Sequence, residues 1–213
     1  SRAQAKCVEP FRQCPGFLVQ LLVGQRSRSP DHRELLRPGV GVTLEQAESL
    51  LTDQTTEPSL LGELDHFHGY ALYFDGEAER SRQFQEDAVS KLSGTRSPFL
   101  GEAELMLGLA RCMAGQNEKA VRTLEDRIDE VDSSEGQRLS RLIASLAFIH
   151  LVCGDMPRAG VEAQRLRRVA KKFEMSLTEA WSSYMWACTH LHTGEFEAAS
   201  QHFADAVDRR YVL

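Results

Sequence analysis

The alternation of small, large and polar positions along this chain follows a fixed ruler. Gly76, Gly115, Gly154 and Gly194 stand 39, 39 and 40 residues apart. Seven residues before each glycine sits Gly69, Gly108, Ala147 or Ala187, and five after it sits Ser81, Ala120, Ala159 or Ala199. Small side chains at both points are what a tight crossing of two helices demands. Eight residues before the glycine the positions are mostly large and apolar: His68, Leu107, Leu146 and Trp186. Twelve residues after it, Ala88, Leu166 and Ala206 suit a buried position and Arg127 does not. The last unit adds Phe203 as the large partner between Ala199 and Ala206. The pattern predicts antiparallel helix hairpins near 59–93, 98–132, 135–173 and 176–209.

A unit this small buries its apolar face only by stacking on its neighbours. The expected fold class is therefore all-α, a right-handed superhelix (solenoid) of antiparallel helix hairpins, tetratricopeptide-like with 39–40-residue units. Tetratricopeptide units usually run to about 34 residues, so helices about a turn longer are expected here. Helix starts are read at Pro98, in a Ser134–Gln137 box, at Asp155 with Pro157 just inside, and in a Ser176–Glu179 box.

Upstream, TLEQAESLL at 43–51 opens on a Thr43–Gln46 box and carries Leu44, Ala47, Leu50 and Leu51 on one stripe. It reads as a degenerate leading helix, 43–53, so the tetratricopeptide-like array spans 43–213. Residues 1–42 are an irregular leader interrupted by Pro10, Pro15, Pro30 and Pro38, with short helices near 17–24 and 31–37. GVGV at 39–42 has no third glycine and no Lys-Ser/Thr pair, so it reads as a helix breaker, not a phosphate loop.

Composition adds bounds to this picture. With 42% apolar and 26% charged residues, the 213-residue chain is that of an ordinary soluble protein. FLVQLLV at 17–23 is too short to span a membrane and lacks a signal cleavage site, so no membrane contact is expected. Five cysteines without a CxxC, three of them on expected helices, fit reduced thiols and a cytoplasmic location. A bridge or metal between Cys7 and Cys14 is the alternative. The formal charge of −6 divides into +4 over residues 1–40, from seven Lys/Arg against three Asp/Glu, and −10 beyond. So acidic an array is a poor candidate for direct nucleic-acid contact. The chain opens on Ser1 and stops just after an expected helix, as a piece of a longer protein would.

First helices of such hairpins line the concave side. At thirteen, ten, six and three residues before the turn glycine stand Glu63, His66, Tyr70 and Tyr73, then Glu102, Leu105, Leu109 and Cys112. The third unit supplies Arg141, Ala144, Phe148 and Leu151, and the fourth Trp181, Tyr184, Cys188 and Leu191. Amphipathic aromatics there suit a sugar, a drug-like ring or an anchoring side chain of a partner. They suit packing between adjacent units equally well. Arg141 against Glu102 is either an inter-unit ion pair or a contact for a charged ligand.

Chemistry is sparse. His66 and His68, like His190 and His192, are two apart on a helix and face different ways, so no metal site is expected. His68, His150 and His190 face the hairpin, where a neutral imidazole can bond a neighbouring carbonyl. No nucleophile elbow, zinc-protease or calcium-loop motif occurs, and the chain is not read as an enzyme. RLRRVAKK at 165–172 is the one local excess of positive charge, either a solvated face or a docking patch for another domain or an acidic polymer.

EFEAASQHFADAVDRRYVL at the end, EAWSSYMWACTHLHTG before it and RLIASLAFIHLVCGD earlier resemble the helical-repeat region of MalT-like, LuxR-type ATP-dependent transcriptional regulators. The resemblance runs from about Thr43 to Leu213 and is strongest in the last two hairpins. It implies an effector-sensing and protein-interaction module, taking a small molecule or a partner segment in its groove. It also implies flanking ATPase and DNA-binding domains in the same polypeptide. This chain has no phosphate loop and no DNA-reading helix, so no cofactor is assigned to it, and ATP belongs only to an upstream domain. A general tetratricopeptide scaffold for protein–protein or intramolecular docking, without a small ligand, is the rival reading.

Overall fold

The computed structural model describes residues 57–210, with side chains as far as residue 208. The leader 1–42, the leading helix 43–53 with its Thr43–Gln46 box, and Cys7 and Cys14 lie outside the described residues. Among the described residues every regular element is an α-helix: α1 Pro58–Phe74, α2 Ala78–Leu92, α3 Leu100–Met113, α4 Asn117–Glu130, α5 Gly136–Cys153, α6 Met156–Lys172, α7 Ser176–Thr193 and α8 Phe196–Arg210. None is long and apolar enough to cross a membrane. The chain divides into two compact units, Ser1–Phe99 and Leu100–Leu213. The first holds the α1–α2 hairpin, and the second holds the hairpins α3–α4, α5–α6 and α7–α8.

Every hairpin closes by the same turn. Gly76, Gly115, Gly154 and Gly194 have φ of 84°, 79°, 82° and 81°. The amide after each glycine donates five residues back, from Glu77 to Leu72 O, Gln116 to Arg111 O, Asp155 to His150 O and Glu195 to His190 O, at 2.8 to 2.9 Å. This is the Schellman arrangement, which satisfies carbonyls that a helix end would otherwise leave unbonded. A Cβ at Gly154 or Gly194 would meet nothing within 4 Å, so the backbone angle selects glycine there and space does not.

Space selects the small residues at the crossings. A Cβ on Gly69 would lie 2.6 Å from Gln85 Nε2, and one on Gly108 would lie 2.7 Å from Ser145 Oγ. Ser81 uses its hydroxyl to donate to Gly69 O at 2.7 Å. Ala120, Ala147, Ala159, Ala187, Ala199 and Ala206 are all buried, and Phe203 is half-buried against Tyr184. In α4 the buried stripe runs Ala120, Leu124, Ile128 at four-residue steps. That stripe turns Arg127 to the edge, where it pairs with Glu130 at 3.0 Å.

The second unit is centred on α5, which packs against α3, α4, α6 and α7. Leu142, Ile143, Leu146 and Ile149 on it are sealed from solvent, as a helix apolar on most faces must be. Arg138 at its start donates to Glu104 on α3 through Nε and Nη2, at 2.8 and 2.7 Å. Glu104 is buried, so this fork is a shielded pair holding two adjacent hairpins.

Two of the expected helix starts differ. Glu135 and Met175 stand at the caps of α5 and α7 with no side-chain cap bond, and Ser176 is already helical. The reason is the tight link before each helix. Ser134 spends its amide on Asp132 Oδ1, and Glu174 at φ 54° with Met175 N bonded to Ala170 O sets where α7 begins. At α6 Asp155 caps Arg158 N at 3.2 Å, with Pro157 in the first turn. Pro98 lies two residues ahead of α3.

Candidate functional site

In the first unit the groove candidates lie within an aromatic cluster. His66 is buried, and its Nδ1 donates to Gln85 Oε1 at 3.0 Å while Gln85 Nε2 donates to His66 O at 3.0 Å. Tyr73 is buried edge-on to Phe74, with ring centroids 5.2 Å apart. Tyr70 is half-buried between Phe74 and His66. Of the rings in this cluster Phe67 is the one most open to solvent, lying against His66 and Phe99.

In the second unit Leu105, Leu109 and Cys112 are buried, whereas Arg141, Phe148, Trp181, Tyr184 and Cys188 are half-exposed. The positions 141 and 148 share one face of α5, and 181, 184 and 188 share one face of α7. Trp181 and Tyr184 stack at 5.3 Å and 22°. Arg141 Nε lies 2.5 Å from Glu102 Oε1, an ion pair between successive first helices. The result is a wall of half-exposed aromatic and ion-paired side chains carried by rigid helices.

The hairpin-facing histidines meet aromatic and acidic neighbours. His68 stacks on Phe84, His190 Nδ1 meets Glu195 Oε2 at 2.6 Å, and His150 Nδ1 stands 4.0 Å from Asp155 Oδ2. The turns place the Asp155 and Glu195 carboxylates beside His150 and His190. Burial pushes His150 below its ordinary 6.5, against the pull of Asp155. Burial and then the neighbouring His190 push His202 down as well. Above pH 6.5 both are neutral folded or unfolded; below it the unfolded chain takes up protons that the fold refuses. Stability is therefore lost as pH falls from 6.5 toward the depressed folded values. Glu162, whose carboxyl burial pushes up, works in the opposite direction. The urea midpoint of His150→Gln/His202→Asn is expected to fall less between about pH 7 and about pH 5.5 than that of the unaltered chain.

One reactive group escaped the sequence reading. Cys153 ends α5 on the surface, and a hydrogen bond with the Cys112 thiol draws its own thiol down to about 7. The two are 41 residues apart, and nothing in their spacing signals the contact. At pH 7 Cys153 is expected to alkylate with iodoacetamide faster than Cys188, and Cys112→Ala to slow it by about threefold or more, followed by peptide mass spectrometry.

No protein-family model matches the sequence, and no curated protein matches it. Among solved structures, the crystal structure of nearly identical TPR-like repeats from a Podosopora anserina kinesin light chain superposes with a TM-score of 0.55. The match has 16% identity and covers 84% of this chain and 90% of that one. The fold is that of tetratricopeptide-like helical repeats. At this identity the likeness concerns the fold alone. With the shared turn and the small-residue crossings, it accounts for the element order of all four hairpins.

Proposed function

We propose that this chain is a non-catalytic protein-interaction module that clasps a partner segment along α5 and α7 of its second unit. The observation that carries the reading is the half-exposed wall of the second unit, Arg141 and Phe148 on α5 with Trp181, Tyr184 and Cys188 on α7. Rigid aromatic rings on a helix wall are typical anchors for a peptide or helix of another protein. Stacking of Trp181 on Tyr184 gives such an anchor a fixed orientation at small entropic cost. A partner from a flanking domain of the same polypeptide would use the same wall. Cys112, Cys153 and Cys188, none of them in a disulfide, fit a reducing, cytoplasmic setting.

The narrower reading, an effector sensor inside a MalT-like regulator with ATPase and DNA-binding neighbours, rests on the sequence resemblance. The two readings separate in one experiment on the full chain. Peptides selected by phage display are expected to bind, and Trp181→Ala or Phe148→Ala to weaken them by about tenfold or more. If no peptide is selected while a sugar or metabolite raises the melting temperature, the sensor reading replaces this one.

A further inference from the structure

The basic run of the sequence lies on α6, which carries six Lys and Arg against Glu162 alone in a chain of formal charge −6. Several of these charges are answered within the fold. Arg158 lies 3.5 Å from Asp155, Arg165 lies 3.8 Å from Glu162, and Arg168 faces the same Glu162. Lys172 sits over the Phe173 ring and donates to Ser133 O. Among the described residues no carboxylate pairs with Arg167 or Lys171.

Gln164, Arg167 and Lys171 follow one edge of α6 at i, i+3 and i+7. Between that edge and α7 opens a cleft of ≈ 90 Å³, lined by Ala163, Gln164 and Arg167 on one side and Ser182, Ser183 and Trp186 on the other. Gly160 lets the indole lie against α6, since a Cβ there would stand 2.9 Å from Trp186 Cζ3. Ser183 is 2% exposed, and its hydroxyl has no hydrogen-bond partner. His202, whose ring lies 6.1 Å from that of Trp186, buries an equally unpartnered Nδ1, with the Asp205 carboxylate 4.0 Å away.

We propose that this cleft binds a carboxylate side chain on an acidic, extended segment of a partner protein. The guanidinium of Arg167 answers the charge, the Ser183 hydroxyl and the Gln164 amide donate to the carboxylate oxygens, and the indole walls the aliphatic stem. Arg167 and Lys171 are separated by about 6 Å along the helix axis. Side chains on one face of an extended strand recur at about 6.6 Å, so acidic residues at alternate positions match the two cations. A nucleic acid fits less well, because its phosphates would run past this edge onto a chain that is acidic elsewhere. The cleft belongs to a second helix and the next first helix, and its use does not depend on the wall proposed above.

The test is calorimetric titration of the full chain with an eight-residue peptide bearing glutamate at alternate positions. Its glutamine counterpart, free glutarate and an oligonucleotide of equal charge serve as comparisons. Saturable one-to-one binding of the glutamate peptide is expected, with the other three weaker by about tenfold or more. Arg167→Ala, and the milder Arg167→Gln, should each weaken it about tenfold, and Ser183→Ala severalfold, with circular dichroism unchanged. Arg168→Ala, on the face toward Glu162, should change it less than twofold, by about a salt-screening increment. The assignment is overturned if no saturable binding occurs, if Arg168→Ala weakens it as much as Arg167→Ala, or if the oligonucleotide binds as tightly as the peptide.

Discussion

Leu166→Ala is expected to lower the free energy of unfolding by about 2–5 kcal/mol, read from the urea midpoint. Leu166 has no exposed surface and lies twelve residues past Gly154, where the first and fourth units carry Ala88 and Ala206. A leucine at that point fills space in the α5–α6 hairpin that its counterparts leave to alanine. Leu142, Ile143, Leu146 and Ile149 are sealed on the facing helix, so removing three carbons leaves a void on a side that cannot readily close. Native-state hydrogen exchange should quicken in α5 and α6. A loss under about 1 kcal/mol would mean that the hairpin collapses around the change and is not packed as described.

Gln85→Ala is expected to cost about 2–4 kcal/mol, through two lost hydrogen bonds and a void. Gln85 is fully buried in α2 and reaches α1 twice, accepting from His66 Nδ1 and donating to His66 O. Its amide also occupies the space that Gly69 leaves open. Its removal therefore withdraws bonds from buried groups and opens the crossing of the α1–α2 hairpin together. Thermal melting of this variant should fall well below that of Gln83→Ala, whose side chain is exposed two residues away. Equal melting temperatures would remove His66 from the packed interior and return it to the surface.

The all-helical, tetratricopeptide-like fold was legible because its constraints fall on single residues. A backbone near φ 80° at the turns and a Cβ space of 2.6 to 2.7 Å at Gly69 and Gly108 leave few choices of side chain, so the choice shows in the letters. Side-chain exposure was less legible. Helical spacing places Leu105, Leu109 and Phe148 alike, yet the first two are buried and the third is half-exposed. What covers a side chain depends on how neighbouring helices stack, and one helix's periodicity does not contain that information. The caps of α5 and α7 each stand one residue from the expected Ser134 and Ser176 for a similar reason, since the preceding turn at Asp132 or Glu174 decides them. The Cys112–Cys153 contact and the cleft at Ser183 bring together residues from different helices, and no local motif announces either.

Hydrogen–deuterium exchange of the full chain, with and without a display-selected peptide at saturation, tests the central claim most directly. Protection is predicted in α5 over residues 141–148 and in α7 over residues 181–188, because the anchoring side chains project from those turns. Protection confined to other helices, with these two unchanged while the peptide is bound, would contradict the account.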